Sequence, residues 1–258
     1  MQDLKVATVQ ANQVWEDKDV NFANYERLLK NLTGVDLIVL PEMFQTGFTM
    51  NSASLAEKMD GKSIAWLQKL ASEKQAAVYT SLIIEESGNF FNRGIFMKPS
   101  GEFAVYDKRH LFGLAGEDNF FSAGKNKTIV EYKGWNINLQ VCYDLRFPEN
   151  CRNREIEGKP EYDLLLYVAN WPERRVKHWS ALLLARAVEN QCYVVGVNRV
   201  GTDANELNYN GSSLVITPLG EIISNHSNNS ESVGHTLLYA GELRETRIKL
   251  PFLKDVDN

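Results

Sequence analysis

Apolar positions along the chain follow two periods, one typical of strands and one typical of helices. Residues 5–10 form a short β-rich run, and in residues 17–32 apolar side chains recur at the spacing of an amphipathic helix. Residues 35–40 then form a short apolar run of the kind that makes a buried strand. A strand, a helix and a strand at this separation predict a βαβ unit with parallel strands.

The pattern changes in the middle of the chain. A helix is predicted at 63–74 and a strand at 77–84, and the runs 90–98 and 102–106 then flank a hairpin signal, Pro99-Ser100-Gly101. The later predicted elements are a hairpin at 128–141, a helix from about 149, a strand at 164–169, a helix at about 174–190, a strand at 192–198 and hairpin strands at 213–217 and 221–224. Helical crossovers mixed with hairpins predict an α/β fold, in which two mixed β-sheets pack face to face in a four-layer αββα sandwich.

One domain covering residues 1–258 is favoured over two, because no low-complexity linker or tandem repeat interrupts the pattern. The tail from about residue 241 is a candidate for dimer contacts. The longest segments without a periodic pattern are about 43–60, 110–127 and 199–210. Loops of this length are uncommon unless they are functional.

Composition indicates which kinds of binding partner and which cellular compartment the protein is expected to have. Lys and Arg total 28 against 33 Asp and Glu, a net charge of −5, which argues against nucleic acid or an anionic membrane as partner. The longest apolar stretches fall far short of the roughly 18 residues that span a bilayer, and no signal peptide is visible at the start of the sequence. Three cysteines without C-x-x-C spacing disfavour a disulfide framework and a zinc site. We therefore expect a soluble protein of the reducing cytoplasm.

Three reactive side chains each follow a predicted strand: Glu42, Lys108 and Cys142. Taken singly, each has an ordinary explanation, as a turn carboxylate, a surface lysine or a buried cysteine. A thiol at a strand-to-helix turn, however, lies near backbone N–H groups that can lower its pKa and stabilise an oxyanion. Packing is the better explanation for Cys151 and Cys192.

His110 offers an alternative chemistry, a cysteine–histidine dyad of the thiol-protease kind with Cys142. The four histidines have no metal-type spacing, so we expect no metal and no cofactor.

Three longer motifs occur in one order along the chain: Leu40-Pro41-Glu42-Met43-Phe44, Asp107-Lys108-Arg109-His110-Leu111-Phe112 and Val141-Cys142-Tyr143-Asp144-Leu145-Arg146-Phe147-Pro148-Glu149. They resemble the signature blocks of the nitrilase superfamily, the carbon–nitrogen hydrolases. Within the superfamily, the residues of five segments resemble those of the ω-amidase branch: 41–48, 108–112, 169–172, 186–191 and 197–203. Those enzymes hydrolyse the terminal amide of short dicarboxylic acid monoamides such as 2-oxoglutaramate and 2-oxosuccinamate.

The resemblance implies a role for each matched residue. Cys142 corresponds to the nucleophile, Glu42 to the general base and Lys108 to the group that stabilises the tetrahedral oxyanion. The family has a second glutamate after the lysine, which Glu117 matches best, with Asp118 as the competing choice. The resemblance also implies a homodimer of two αββα subunits.

Substrate contacts are less determined by the motifs. The backbone N–H of Tyr143 is expected to be the second oxyanion donor, and Phe44, Trp171 and the Tyr143 ring are candidate walls of a small pocket. A substrate carboxylate needs a cationic partner. The arginines in or near the motif loops are Arg109, Arg146, Arg174, Arg175 and Arg199. The motifs do not indicate which of these arginines binds the carboxylate; Arg146, inside the cysteine motif, is the substrate-binding candidate.

Other functions remain open within and beyond the superfamily. An N-carbamoyl amine hydrolase and a nitrilase are the related alternatives, and a glutaminase-like subunit feeding a synthetase is another. A non-catalytic binding protein on the same scaffold is disfavoured, because all three catalytic residue types are present.

Overall fold

The strands of the fold form two large sheets and two short ribbons. The computed structural model describes residues 1–256, and its strands are β1 (Leu4–Gln10), β2 (Leu37–Val39), β3 (Ala77–Glu86), β4 (Asn89–Met97), β5 (Phe103–Asp107), β6 (Ile129–Tyr132), β7 (Trp135–Val141), β8 (Glu155–Ile156), β9 (Lys159–Pro160), β10 (Leu164–Ala169), β11 (Tyr193–Asn198), β12 (Val200–Thr202), β13 (Asn208–Asn210), β14 (Leu214–Ile216), β15 (Ile222–Asn225) and β16 (Ser232–Leu238). The α-helices are α1 (Lys18–Leu29), α2 (Ser52–Leu55), α3 (Lys62–Lys74), α4 (Pro148–Cys151), α5 (Val176–Asn190) and α6 (Ala240–Lys249). Short 3₁₀ turns cover Gly113–Ala115, Glu117–Asn119, Cys142–Arg146, Glu173–Arg175 and Phe252–Asp255.

The two large sheets have the mixed pairing that the sequence predicts. The first has the order β16-β1-β2-β3-β4-β5, with β1, β2 and β3 parallel and the remaining pairs antiparallel. The second has the order β15-β14-β11-β10-β7-β6, with β7, β10 and β11 parallel. Helical crossovers therefore build the centre of each sheet, and hairpins extend its edges.

Alternation along the central strands explains the layers. In β1, Leu4 and Val6 face a core shared with the second sheet, whereas Ala7 and Val9 face a separate core with the outer helices α1 and α3. The second sheet is covered on its other side by α5, whose Trp179 and Leu183 are fully buried. Because both faces of each sheet are apolar, burial requires four layers, and the predicted αββα arrangement is confirmed.

Towards the end of the chain, one predicted helix is shorter than expected and one strand was not predicted. The helix expected from about residue 149 is the single turn α4, because its backbone turns away at Arg152. The tail from about residue 241 begins inside α6, which follows a strand that was not predicted, β16, paired with β1. Helix α6 packs on its own chain: the Arg247 guanidinium donates to the backbone oxygens of Tyr162 and Gln191.

None of the helices within residues 1–256 is both long enough and apolar enough to cross a membrane.

Candidate active site

The three motif residues meet where the two sheets end. Strand β5 is antiparallel to β4, which is antiparallel to β3, so β5 and β2 run in the same direction and both end at one edge of the first sheet. Glu42 follows β2 and Lys108 follows β5 at that edge. Cys142 follows β7 in the second sheet. Side chains that are far apart in sequence therefore converge at the ends of packed sheets.

Cys142 lies at a sharp turn between β7 and a 3₁₀ helix. Its φ of 46° is a left-handed conformation that is uncommon for a residue with a side chain. Asp144 holds this turn: its carboxylate accepts from the backbone N–H of Val141 at 3.2 Å and from the Tyr106 hydroxyl at 2.8 Å. The strained turn at Cys142 is thus maintained by buried hydrogen bonds, one of which comes from Tyr106 in strand β5.

Glu42 is fully buried, and its carboxylate has three donors besides the nearby thiol. Lys108 Nζ lies 3.0 Å and Asn92 Nδ2 lies 2.8 Å from Glu42 Oε1. The backbone N–H of Asn170 donates to Glu42 Oε2 at 2.8 Å. These contacts fix the orientation of the carboxylate against Cys142.

Lys108 lies between two buried carboxylates. Its ammonium is 3.0 Å and 2.9 Å from the two oxygens of Glu117, in addition to its contact with Glu42. Burial lowers the pKa of Lys108, but the negative charges of Glu117 and Glu42 raise it more, and the net direction is upward. The two carboxylates therefore favour the ammonium form of Lys108, and when both are ionised the cluster carries a net negative charge.

The Cys142 thiol differs from the sequence expectation. Burial, followed by the charge of Glu42, raises the pKa of Cys142 well above its usual range, although Lys108 opposes the shift. The expectation of a lowered pKa is wrong, because desolvation and a buried carboxylate outweigh the turn's backbone N–H groups. The resting group is a thiol that needs a base.

A cavity of about 460 Å³ opens above the cluster, and Lys108 and Cys142 lie among its lining residues. The three segments without a periodic pattern all contribute to its walls, through Phe48, Thr49, Met50, Asn51, Phe112, Leu114, Ala115, Asp203, Asn205, Leu207 and Tyr209. The expectation that these long loops are functional is consistent with this placement.

Three of the five candidate arginines line the cavity: Arg146, Arg174 and Arg175. The Arg146 guanidinium lies 4.7 Å from the ring centre of Trp171, and that of Arg175 lies 5.2 Å from the ring centre of Phe112. Burial and then the charges of the other two arginines lower the pKa of Arg175. Among residues 1–256, none of the three has a carboxylate partner within ion-pair distance.

The other two arginines are engaged elsewhere. Arg109 donates to the side-chain oxygen of Asn150. Arg199 is fully buried and donates to the backbone oxygen of Gln13 at 2.9 Å. Neither belongs to the cavity wall described above.

The structure distinguishes among the candidate wall residues and between the two candidate acidic residues. Tyr143 and Trp171 line the cavity, but Phe44 packs in the helix-side core, with its ring centre 5.4 Å from that of Tyr25. The expectation that Phe44 is a pocket wall is therefore corrected, since its side chain points to the opposite side of the turn. Glu117 is buried against Lys108, whereas Asp118 is exposed, so Glu117 is the second acidic residue of the cluster.

The histidine and the other cysteines lie outside the cavity wall. His110 Nδ1 is 2.9 Å from Asp144 Oδ1, and its ring stacks on Phe147 at 3.8 Å. A dyad with Cys142 is thus not supported. Cys151 and Cys192 are fully buried within the large core, as the packing interpretation predicts. Among residues 1–256, no cluster of three or more His, Cys, Asp or Glu side chains could hold a metal ion.

Sequence reasoning missed three residues that shape the site: Asn92, Asp144 and Asn170. Asp144 and Asn170 stand inside matched motifs, and their polar character in an apolar context is the signal that could have identified them. Asn92 stands in a strand that otherwise reads as a hairpin arm. Its contacts with Glu42 and Glu117 depend on tertiary structure alone.

Comparisons with known proteins cover nearly the whole chain. The sequence profile of the carbon–nitrogen hydrolases matches residues 5–248. The omega-amidase YafV of Escherichia coli K12 is 43% identical over 257 residues, covering 100% of this chain and 98% of that protein. The 2-oxoglutaramate amidase of Bacillus subtilis is 31% identical over 224 residues, covering 86% and 85%.

A solved structure agrees with these sequence matches. The Xanthomonas campestris protein XC1258, a CN-hydrolase superfamily protein with an arsenic adduct in its active site, superposes with a TM-score of 0.98 at 43% identity. The match covers 100% of this chain and 98% of that one. The motif resemblance to the nitrilase superfamily is thus confirmed. The chain belongs to the carbon–nitrogen hydrolase family.

Proposed function

We propose that the protein is an ω-amidase, which hydrolyses the terminal amide of a small dicarboxylic acid monoamide to the acid and ammonia. One observation carries the proposal: a buried Glu42–Lys108–Cys142 cluster lies at the base of a cavity whose wall holds three arginines without an ion-pair partner among residues 1–256. The names of the relatives, omega-amidase and 2-oxoglutaramate amidase, point to the same class of substrate.

The first half of the reaction forms a thioester. An amide carbonyl above Cys142 is attacked by sulfur as Glu42 takes the thiol proton, which the raised pKa of Cys142 makes necessary. The negative charge moves to the carbonyl oxygen, where Lys108 Nζ and the Tyr143 backbone N–H donate to it. Collapse of this intermediate breaks the carbon–nitrogen bond, Glu42 returns the proton to nitrogen, and ammonia leaves.

The second half reverses the roles of the same groups. Glu42 takes a proton from water, whose oxygen attacks the thioester carbon, and Lys108 again faces the oxyanion. Collapse breaks the carbon–sulfur bond, the proton returns to sulfur, and the carboxylic acid is released. Its ionised form then carries a second negative charge beside the net negative cluster, so repulsion favours departure of the product.

Glu117 acts on Lys108 rather than on the substrate. It holds the ammonium through both carboxylate oxygens, at 3.0 Å and 2.9 Å, while Glu42 contacts it through one. When Glu42 becomes neutral by taking a proton, its attraction for Lys108 falls, and the lysine can donate to the oxyanion without leaving its position. This preorganisation is the form of stabilisation that usually contributes most to acyl transfer.

Arg146 is the proposed partner of the far carboxylate. It lies one helical turn after Cys142, and Trp171 supports its guanidinium at 4.7 Å. A five-carbon acyl chain extends about 5 Å from the amide carbon to the far carboxylate carbon, from standard bond geometry. A bidentate arginine at that distance would fix the chain length that the enzyme accepts.

A substrate panel tests the proposal. Ammonia release is measured from 2-oxoglutaramate, 2-oxosuccinamate, simple alkyl nitriles and N-carbamoyl amines, with the Cys142→Ala variant as the blank. We expect release from the monoamides without carbon dioxide, and a mass adduct of the acyl group on Cys142. Release from nitriles alone, or ammonia together with carbon dioxide from carbamoyl amines, would contradict the ω-amidase proposal.

We also propose that two chains form a homodimer through the outer face of α5. Leu184 and Val188 of this helix are exposed, and the β14–β15 turn beside them exposes Leu219 and Ile222. Helix α6 adjoins the same patch, since Leu219 and Glu242 line one groove. Light scattering tests this assembly, and Val188→Asp should give a monomer.

The three free cysteines support a cytoplasmic location.

A further inference from the structure

Asn92 lies between the two carboxylates of the catalytic cluster. Its side chain is 1% exposed, and its single amide nitrogen is 2.8 Å from Glu42 Oε1 and 3.2 Å from Glu117 Oε1. A primary amide has two N–H groups. The distances therefore allow Asn92 to give one hydrogen to each carboxylate, and no other described side chain contacts both except Lys108.

We infer that Asn92 is a positioning residue, which holds Glu42 and Glu117 beside Lys108 and orients the Glu42 carboxylate as the proton acceptor for Cys142. The inference rests on the proposed role of Glu42 as the general base. It concerns the same reaction, but it assigns a further residue to it.

The charge of the cluster explains why a neutral donor is needed. Two buried carboxylates around one ammonium repel each other, and repulsion together with burial favours a proton on one of them. Consistent with this, burial first and the charge of Glu42 next raise the pKa of Glu117, against the opposing effect of Lys108. An amide donor stabilises both ionised carboxylates without adding a charge, whereas a second cation would hold Glu42 too strongly for it to accept a proton.

The backbone of Asn92 links this effect to the lysine. The Asn92 carbonyl accepts from the backbone N–H of Lys108 at 3.0 Å, where β4 leads past the end of β5. One residue thus anchors the main chain that carries the ammonium and both carboxylates that the ammonium touches. Displacement of the Asn92 side chain would change the position of the base relative to Cys142 while the fold stays intact.

The test is the pH dependence of Asn92→Ala. A hydrogen bond to a charged group contributes enough to change a rate by about 10- to 100-fold. We expect kcat for the preferred monoamide to fall by this factor with little change in KM. Loss of a donor to a carboxylate raises its pKa, so the acidic limb of kcat/KM should move to higher pH. Asn92→Asp keeps the shape but removes both donors, and should move the limb further in the same direction.

Two controls separate positioning from folding. Asn138→Ala removes another fully buried strand asparagine, whose Oδ1 accepts from Gln140 at 2.9 Å, and should leave the limb unmoved. Rates are divided by the fraction of folded molecules, which is the fraction whose Cys151 and Cys192 stay unreacted with iodoacetamide, because both are fully buried only in the folded chain. A lower melting temperature for Asn92→Ala with an unmoved acidic limb would overturn the inference.

A second substrate allows the role of Asn92 to be tested even if the proposed substrate class is wrong. p-Nitrophenyl acetate requires the thiol and the base, but it has no carboxylate for the arginines. If no monoamide is hydrolysed, the proposed function fails, and the same shift of the acidic limb is then measured with the ester. An unmoved limb with the ester would overturn the role of Asn92 on its own.

Discussion

Glu42→Gln should separate the two effects of this carboxylate on Cys142. As the proposed base, Glu42 would take the thiol proton, and without it amide hydrolysis should fall by about 10²–10⁴. As a negative charge, it opposes thiolate formation, since its charge is the second cause of the raised pKa of Cys142 after burial. The variant is therefore expected to lose turnover while its thiol becomes more acidic.

The charge count sets the size of the second effect. In the native cluster, ionisation of Cys142 places a third negative charge beside Lys108, whereas in the variant it places only a second. Two unit charges about 4 Å apart interact by about 4 kcal/mol at an effective dielectric constant of about 20. That energy corresponds to a change of roughly 10³ in the thiolate population. Because Cys142 lines an open cavity, where water screens the interaction, an increase of about tenfold or more is expected.

Alkylation by iodoacetamide measures the thiolate directly. The rate is followed by intact mass from pH 6 to 10, beside ammonia release from 2-oxoglutaramate. The pH at which alkylation rises should be lower in Glu42→Gln than in the wild type. Glu57→Gln is the matched control, because Glu57 is also paired with a lysine, Lys18 at 2.7 Å, but does not line the cavity. Both of its profiles should match the wild type.

Two results would refute this reasoning. An alkylation profile that stays in place or moves to higher pH would show that the charge of Glu42 does not govern the thiol. Amide turnover close to the wild-type rate would remove Glu42 from the role of base.

Further expectations concern stability, binding and the remaining thiols. Lys108→Met leaves two buried carboxylates without their cation, and should lower the free energy of unfolding in urea by about 3–5 kcal/mol at neutral pH. Arg146→Met should raise KM for 2-oxoglutaramate by about 10- to 100-fold with a smaller change in kcat. Arg109→Met, the control, should leave KM unchanged. A KM for Arg146→Met equal to that of the wild type would exclude Arg146 as the partner of the substrate carboxylate. Glutamine, which differs from glutaramate by an ammonium group on carbon 2, should be hydrolysed more slowly than glutaramate, because the three cavity arginines repel that charge; faster turnover of glutamine would contradict this. Cys151→Ala and Cys192→Ala should keep full turnover per folded molecule and lose only stability in thermal melts, in contrast to Cys142→Ala.

The sequence by itself determined the layers of the fold and the family to which the chain belongs. Apolar runs such as 164–169 predict buried strands because every position is apolar, and the structure has a strand with these bounds, Leu164–Ala169. The motifs around Glu42, Lys108 and Cys142 identify the family because each is several residues long and all occur in order. Strand β16 escaped prediction because its polar and small residues, Ser232–Leu238, show no strong apolar period.

Only the tertiary structure decided how these groups act on one another. The sequence places Cys142 at a turn whose backbone N–H groups can lower the thiol pKa, but burial beside Glu42 raises it. Likewise Asn92, in a hairpin arm, contacts both carboxylates because β4 passes the end of β5. Local pattern specifies which way a side chain points from its own strand. The electrostatic environment, in contrast, is a sum over residues distant in sequence, and it exists only after the sheets have packed.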